Sequence, residues 1–227
     1  MLENLFSEIE KLHSFELADN PFEIDEFEKR FGYKLPDDLK EFYRRYKTVK
    51  LFDSEWGASY RFVPVNEMKI TGYDIYGDSA NPEEFLWPKS WFTICDVLDG
   101  DYLSVDLSSR KGDECNYIDC FHETYGTPGE SKVIAKSFRE LLEQSLMRGK
   151  EHFYLDNSFK DYGDALEITP ETAIFRISNK NDSIVGGWMV NFYRNNKSYR
   201  KYFKDVDYGN KEKSYEAAKY YVEENTE

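Results

Sequence analysis

The sequence predicts an α+β protein in which a larger N-terminal domain precedes a small C-terminal one. Three observations support this class. Apolar residues at helical spacing come first, strand-like runs follow around a strong hairpin signal, and a group of three short strands and one helix ends the chain. Segregated runs of helices and strands are typical of α+β folds. We expect a first domain at residues 1–150, an acidic linker at 151–170 and a second domain at 171–227.

The strongest strand signal is the stretch Trp91 to Leu107. Asp99-Gly100 lies between two runs of aromatic and β-branched residues, which is the pattern of a β-hairpin because glycine takes a positive φ at no steric cost. The second arm alternates, so Leu103 and Val105 should face a core. In the first arm both parities are apolar. This pattern predicts a strand that is covered on both faces and is therefore central in its sheet.

Three amphipathic helices are predicted before this hairpin, and no strong strand is expected among them. Apolar residues at helical spacing indicate helices at residues 2–13 and 22–31, and Gly32 should end the second as a left-handed cap. Pro36 suits the first position of a third helix, whose apolar stripe runs to Tyr46. All three helices should precede any strong strand.

The rest of the first domain reads as short strands and loops. Strands are expected at residues 49–52, 60–65 and 117–121, and surface loops at 71–84 and 108–113.

A last helix should close the first domain. Ser137 and Glu140 have the spacing of a capping box, and Gly149 would end the apolar stripe that follows them. In the second domain we expect strands at residues 173–177, 187–194 and 197–203 and a helix at 211–222.

The formal charge of −14 is unevenly distributed along the chain. Residues 1–150 carry −11, residues 151–170 carry −4 and residues 171–227 carry +1. An acidic body repels nucleic acid and membrane phosphates and attracts basic proteins. The chain shows no apolar run of signal-peptide or membrane-spanning length, and its three cysteines do not suggest a disulfide framework. These features predict a cytoplasmic protein with no membrane partner.

No catalytic or metal-binding constellation stands out. Asp96, Asp99, Asp101 and Asp106 lack the glutamate that completes an EF-hand, and Asp-Gly is simply what the turn requires. Cys115, Cys120 and His122 lack a fourth ligand for zinc. No recognised signature of a nucleophile surrounds any cysteine. We therefore predict a protein that is not an enzyme and holds no metal or cofactor.

The ordered motifs of the first domain resemble those of the SUKH superfamily. They are LPDDLKEFY at residues 35–43, WFTICDVLDGDYLSVDL at 91–107, IDCFHE at 118–123 and VIAKSFRELL at 133–142. The superfamily includes a fungal cell-wall-assembly regulator and many bacterial immunity proteins. The resemblance implies a mixed sheet with helices packed on one side. It also implies a protein partner, and together with the acidic first domain it predicts a basic, nuclease-type toxin that is neutralised by binding.

The tail resembles a second family, the APETALA-type, ethylene-response-factor-like domain. The resemblance rests on GWMVNF at residues 187–192, the lysine- and tyrosine-rich run at 197–205 and YGNKEK at 208–213. Such domains lay a three-stranded sheet in the DNA major groove. Here Trp188 and Phe192 would pack on the helix, leaving Asn191 and Tyr193 outward.

Two surfaces are candidate binding sites. Asp96, Asp99 and Asp101, together with Tyr73 and Tyr76 of the 71–84 loop, could present an acidic rim to a basic partner, or the acids could form a merely solvated face. The only basic and aromatic cluster could neutralise DNA phosphates, or could dock on the acidic first domain. Its members are Arg176, Tyr193, Arg194, Lys197, Arg200 and Lys201.

These surfaces give a leading hypothesis and two alternatives. The leading hypothesis is an immunity-type protein that binds a toxin. The alternatives are a DNA-associated regulator acting through residues 171–227 and a scaffold for cell-wall or signalling partners.

Overall fold

A computed structural model of the chain describes residues 2–80, 88–98, 100–112, 114–177 and 186–226. Within those ranges, no helix combines the length and the apolar character needed to cross a bilayer.

The structure divides into two compact units. The first contains Met1–Ser79, Pro88–Glu123 and Lys132–Gly163. The second contains Thr124–Ser131 and Asp164–Glu227, so it includes an excursion from the middle of the chain. The domain boundaries expected at residues 150 and 170 stay predictions.

The first unit is built on one antiparallel sheet. Its strands are β1 (Ser14–Leu17), β2 (Tyr46–Leu51), β3 (Tyr60–Phe62), β4 (Trp91–Asp96), β5 (Tyr102–Lys111), β6 (Glu114–Cys120) and β7 (Val133–Ala135). The seven strands lie in the order β1-β2-β3-β4-β5-β6-β7, and each pairing is antiparallel. The sheet is therefore antiparallel, where the resemblance implied a mixed one. The predicted α+β class is confirmed, and β4 is the central strand, as its apolar parities indicate.

Five helices accompany this sheet in the part of the chain that the structure describes. They are α1 (Glu3–Leu12), α2 (Glu23–Phe31), α3 (Asp37–Arg45), α4 (Thr71–Tyr76) and α5 (Phe138–Arg148). The predicted caps are present: Gly32 takes φ 75°, and the Ser137 side chain accepts a hydrogen bond from the Glu140 backbone nitrogen at 3.1 Å. The acidic first turn of α3 suits the positive end of its dipole.

The main core lies between the sheet and helices α1, α2, α3 and α5. Leu103 and Val105 face it, as their alternation predicts, and both are fully buried. On the other face of β5, Ser104 is also fully buried, because α4 covers it: the Ser104 and Thr71 hydroxyl oxygens lie 2.6 Å apart. The short helix α4 therefore covers the face of the sheet that the other helices leave open.

Three expectations for the first unit are wrong. A strand, β1, lies between α1 and α2, where no strong strand was expected. Residues 71–76 form a helix and not a loop. Strand β5 continues to Lys111 through most of the loop expected at 108–113, because Lys111 pairs with Glu114 across a longer hairpin.

The second unit contains the predicted three strands and helix. Strands β8 (Ile174–Ile177), β9 (Gly187–Arg194) and β10 (Lys197–Lys204) pair antiparallel in the order β10-β9-β8. Helices α6 (Pro170–Ala173) and α7 (Asp205–Tyr208) are short, and α8 (Lys211–Thr226) packs on the sheet. Asn195 and Asn196 form the tight turn between β9 and β10, with φ of 52° and 58°.

The excursion Thr124–Ser131 packs closely on β9 within this second unit. The Tyr193 backbone nitrogen donates to the Pro128 carbonyl at 2.9 Å, and the Asn191 amide donates to the Thr127 hydroxyl at 3.2 Å. Gly129 has φ +90°, and a Cβ placed on it would lie 1.9 Å from the Tyr193 carbonyl oxygen. Only glycine fits this approach, so the excursion is an integral part of the unit.

Replacing Gly129 with alanine should loosen the second unit. The new methyl group must displace the backbone of β9, which we expect to cost about 1–3 kcal/mol. Hydrogen exchange of the peptide that covers residues 187–194 should become faster. The matched control is Gly209→Ala, where φ is also +90° but the added Cβ meets nothing within 4 Å. Equal exchange in the two variants would show that the close approach of Gly129 to β9 does not limit stability.

Candidate protein-binding surface

Three connections of the first unit meet at one end of its sheet. They are the turn at residues 53–57 after β2, the turn at 97–101 between β4 and β5, and Phe121-His122 after β6. Because neighbouring strands are antiparallel, the end of one strand lies beside the start of the next. We call the described residues of these connections, together with Asp96, the hairpin-end surface.

Asp96 serves the turn between β4 and β5. Its carboxylate accepts a hydrogen bond from the Arg61 guanidinium at 3.0 Å and another from the Leu98 backbone nitrogen at 2.9 Å. Leu98 takes φ 74°, a conformation that is costly for a residue with a branched side chain. The Asp96 carboxylate therefore holds Leu98 in a conformation that turns the chain.

Asp101 joins the same turn to the segment after β6. Its Oδ1 atom accepts a hydrogen bond from the His122 backbone nitrogen at 2.9 Å and lies 2.7 Å from the His122 Nδ1 atom. The carboxylate thus positions His122 at the rim of the sheet. Asp99, the third predicted member of the acidic rim, lies outside the described residues.

Asp119 is the most perturbed carboxyl group near this surface. It pairs with Leu103 in the sheet and is only partly accessible to solvent. Burial, followed by the nearby Asp101 carboxylate, raises the pKa of Asp119 from an ordinary 3.8 to about 7. This end of the sheet therefore carries a carboxyl group that titrates near neutral pH.

The apolar part of this surface is absent from the sequence-based prediction. Trp56 is 84% exposed, Leu98 is 40% exposed and Phe121 is 39% exposed. All three sit on the same connections as the acidic residues. A tryptophan inside a polar turn, DSEWG at residues 53–57, is the signal that could have revealed it.

The two predicted tyrosines belong to a neighbouring element. Tyr73 and Tyr76 lie on α4, where Tyr73 is half-buried and Tyr76 is exposed. The same helix carries Asp74 into a cavity of about 300 Å³ that Arg61 and Tyr102 also line. Burial raises the pKa of Asp74, although Thr93 and Lys69 oppose the shift. Through Arg61, which pairs with Asp96, this cavity adjoins the hairpin-end surface. The role of the tyrosines in binding stays a prediction.

The surroundings of the three cysteines are those of buried, structural residues. Cys95, Cys115 and Cys120 are all free and buried. Burial raises the pKa of Cys115 to about 11, and its thiol donates to the Asp106 carbonyl at 3.0 Å. Within the described ranges, no group of three or more histidine, cysteine or acidic side chains is arranged to hold a metal ion.

The register of the second sheet distributes the basic candidates over two faces. Phe192, which is buried against α8, pairs with Tyr199, and the buried Val190 pairs with Lys201. Lys197, Tyr199 and Lys201 therefore share the face that carries the helix. Tyr193 and Arg200 lie on the opposite face. The expectation that Phe192 and Trp188 pack on the helix is confirmed for both residues, since Trp188 lies 4.8 Å from the Tyr215 ring.

Four of the five basic candidates make contacts inside the second unit, and one of them, Lys197, lies 4.9 Å from the centre of the Tyr199 ring. The Arg176 guanidinium pairs with Asp205 at 2.9 Å and 2.5 Å, and that pairing lowers the pKa of Asp205 to about 2. Arg194 donates to the Asn225 carbonyl at 3.0 Å. The Lys201 ammonium lies 4.7 Å from the centre of the Tyr221 ring. The six residues do not form one continuous basic face, and the nucleic-acid hypothesis stays a prediction.

The first unit defines a class: an α+β domain whose antiparallel sheet exposes apolar and acidic side chains together at one end. Residues 20–144 match the model of the SMI1/KNR4 family (SUKH-1). This match covers more than half of the chain, and the chain therefore belongs to that family. It is also similar to the Immunity protein YokJ of Bacillus subtilis (strain 168), with 29% identity over 136 residues that make up 60% of this chain and 79% of YokJ. The predicted SUKH resemblance is confirmed.

The raised pKa of Asp119 predicts a pH dependence of stability. The folded state holds this proton more tightly than the unfolded chain does, so the contribution is fully present below about pH 4 and is lost as the pH rises through about 7. In Asp119→Asn the free energy of unfolding should fall less over this range. Urea titrations at a series of pH values would measure it. The control is Asp19→Asn at an exposed position, and an unchanged slope in Asp119→Asn would contradict the prediction.

The division of the basic residues also gives an expectation for DNA. Because only Tyr193 and Arg200 of the cluster lie on the sheet face opposite α8, the full chain should give no mobility shift with a duplex at micromolar protein and low salt. A shift that Arg200→Ala abolishes and Arg176→Ala leaves intact would instead favour binding through the sheet face opposite α8.

Proposed function

We propose that this chain is an immunity-type protein that neutralises a toxin by binding it. The similarity to the Immunity protein YokJ, within a shared family, carries the proposal. The arrangement of the first unit supports it, because the unit offers an exposed apolar and acidic surface. Its free cysteines are buried, and the thiols of Cys115 and Cys120 form hydrogen bonds, which is typical of structural and not of reactive cysteines. In this proposal the chain acts as a binding protein and not as an enzyme.

The charge of the chain indicates the kind of toxin. Residues 1–150 carry −11, which favours a basic partner such as a nuclease whose own surface binds phosphates. Long-range attraction would speed the encounter, and short-range contacts would hold the complex. The bound chain would then occlude the active site of the toxin or an adjacent surface.

The proposed setting is the cytoplasm. Three unpaired, buried cysteines suit a reducing compartment. An inhibitor in the same compartment can bind the toxin before it reaches its target.

Co-expression with a toxin domain found in the neighbouring genes tests the proposal, and a neighbourhood without a toxin gene counts against it. The full chain should restore growth of a bacterial host that expresses the toxin, and the purified proteins should form a complex. Its association rate should fall about tenfold or more between low and physiological salt if charge steers the encounter. A catalytically inactive toxin serves as the control for binding without toxicity. No protection and no complex would contradict the proposal.

A further inference from the structure

We infer that Trp56 is the anchor of the toxin-binding surface and that it receives an arginine side chain of a basic partner. This inference rests on the proposed function and adds the contact residue and the chemistry of its partner. Four features of the first unit carry it.

The exposure of Trp56 is unusual for its type. At 84% it is the most exposed of the large hydrophobic side chains in the described ranges. Tryptophan is normally well buried, because it removes more apolar area from water than most other side chains. It is also among the residues that contribute most at protein interfaces. An exposed tryptophan therefore gains more than most residues when a partner covers it.

The turn that carries Trp56 is fixed before any partner arrives. Ser54 and Gly57 exchange two backbone hydrogen bonds of 3.1 Å each. The Ser54 hydroxyl donates to the Gly57 carbonyl at 3.0 Å and accepts from the Trp56 backbone nitrogen at 3.3 Å. Binding would thus order little more than the indole itself, which lowers the entropic cost of the contact.

Trp56 lies on a turn that contacts a second exposed apolar residue, Leu98. A Cβ placed on Gly57 would lie 3.3 Å from the Leu98 side chain, so the two turns touch. Leu98 is 40% exposed in its costly backbone conformation, and the Asp96 carboxylate maintains that conformation. Strain of this kind persists where the surrounding structure imposes it, and it is common at binding sites. Trp56 and Leu98 together give an apolar centre with polar neighbours.

The charges around this centre select the partner. Asp53 and Glu55 are exposed on the same turn as Trp56. Residues 51–60 and residues 94–109 contain no lysine and no arginine. The nearby Arg61, in β3, pairs with Asp96. A guanidinium group can stack on an indole while it bonds to flanking carboxylates. An arginine on a basic protein meets all of these requirements at once.

Substitution of Trp56 in the full chain tests the inference. The probe is the toxin domain against which the full chain protects in the co-expression experiment, in catalytically inactive form. We expect Trp56→Ala to raise the dissociation constant at least tenfold, mainly through faster dissociation. Trp56→Phe should retain part of the affinity, because phenylalanine keeps an aromatic face. Asp53→Lys combined with Glu55→Lys should slow association and weaken its salt dependence.

The matched control is Phe22→Ala. Phe22 is 65% exposed in the same unit but precedes α2, at the opposite end of the strands. It should bind like the unchanged chain, and both alanine variants should unfold at the same urea concentration as that chain.

The outcomes separate the two claims. If the unchanged chain binds and Trp56→Ala binds equally well, the anchor is wrong and the proposed function stands. If Phe22→Ala weakens binding as much as Trp56→Ala, the anchor is also wrong, because the effect is not specific to the hairpin-end surface. If the unchanged chain forms no complex, the proposed function and the inference fail together.

Discussion

The aromatic contacts of Phe42 hold the first unit together. This fully buried ring on α3 lies 6.4 Å from Phe6 of α1, 5.3 Å from Phe62 of β3 and 4.9 Å from Phe138 of α5. One side chain thus joins three helices to the middle of the sheet. Tilted aromatic pairs of this kind add specific geometry to the burial of apolar area. The position of the strand ends, and therefore of the hairpin-end surface, depends on this packing.

Much of this architecture is predictable because it repeats a simple pattern. Helices α1, α2 and α3 each place apolar residues at helical spacing, and the stripes face the core as expected. Strand β4 has apolar residues on both parities because the sheet is covered on both faces. Where an element forms by burying an apolar face, the periodicity of its apolar residues predicts it.

The elements that the sequence does not predict are those that do not form through the burial of an apolar face. All four residues of β1 are exposed, so this strand shows no useful alternation and exists because β2 offers an edge to pair with. Helix α4 is short and contains a glycine, and it is fixed by the contact of Thr71 with Ser104 across the chain. The candidate surface is likewise predictable only in part. Its aspartates were visible in the sequence, but their bonds to Arg61 and His122, and the exposure of Trp56, depend on the fold.

The intimate fit of Thr124–Ser131 against β9 has a consequence for how the C-terminal unit could have been acquired. A module that folds from one continuous stretch can be gained or lost by a single fusion or deletion at its boundary. Here the second unit also includes Thr124–Ser131, which belongs to the connection between β6 and β7 of the first unit. Removing the tail would strip that stretch of the partners of Tyr193 and Asn191. A chain without the tail would therefore leave these groups without their present partners, and it would need a different sequence between β6 and β7.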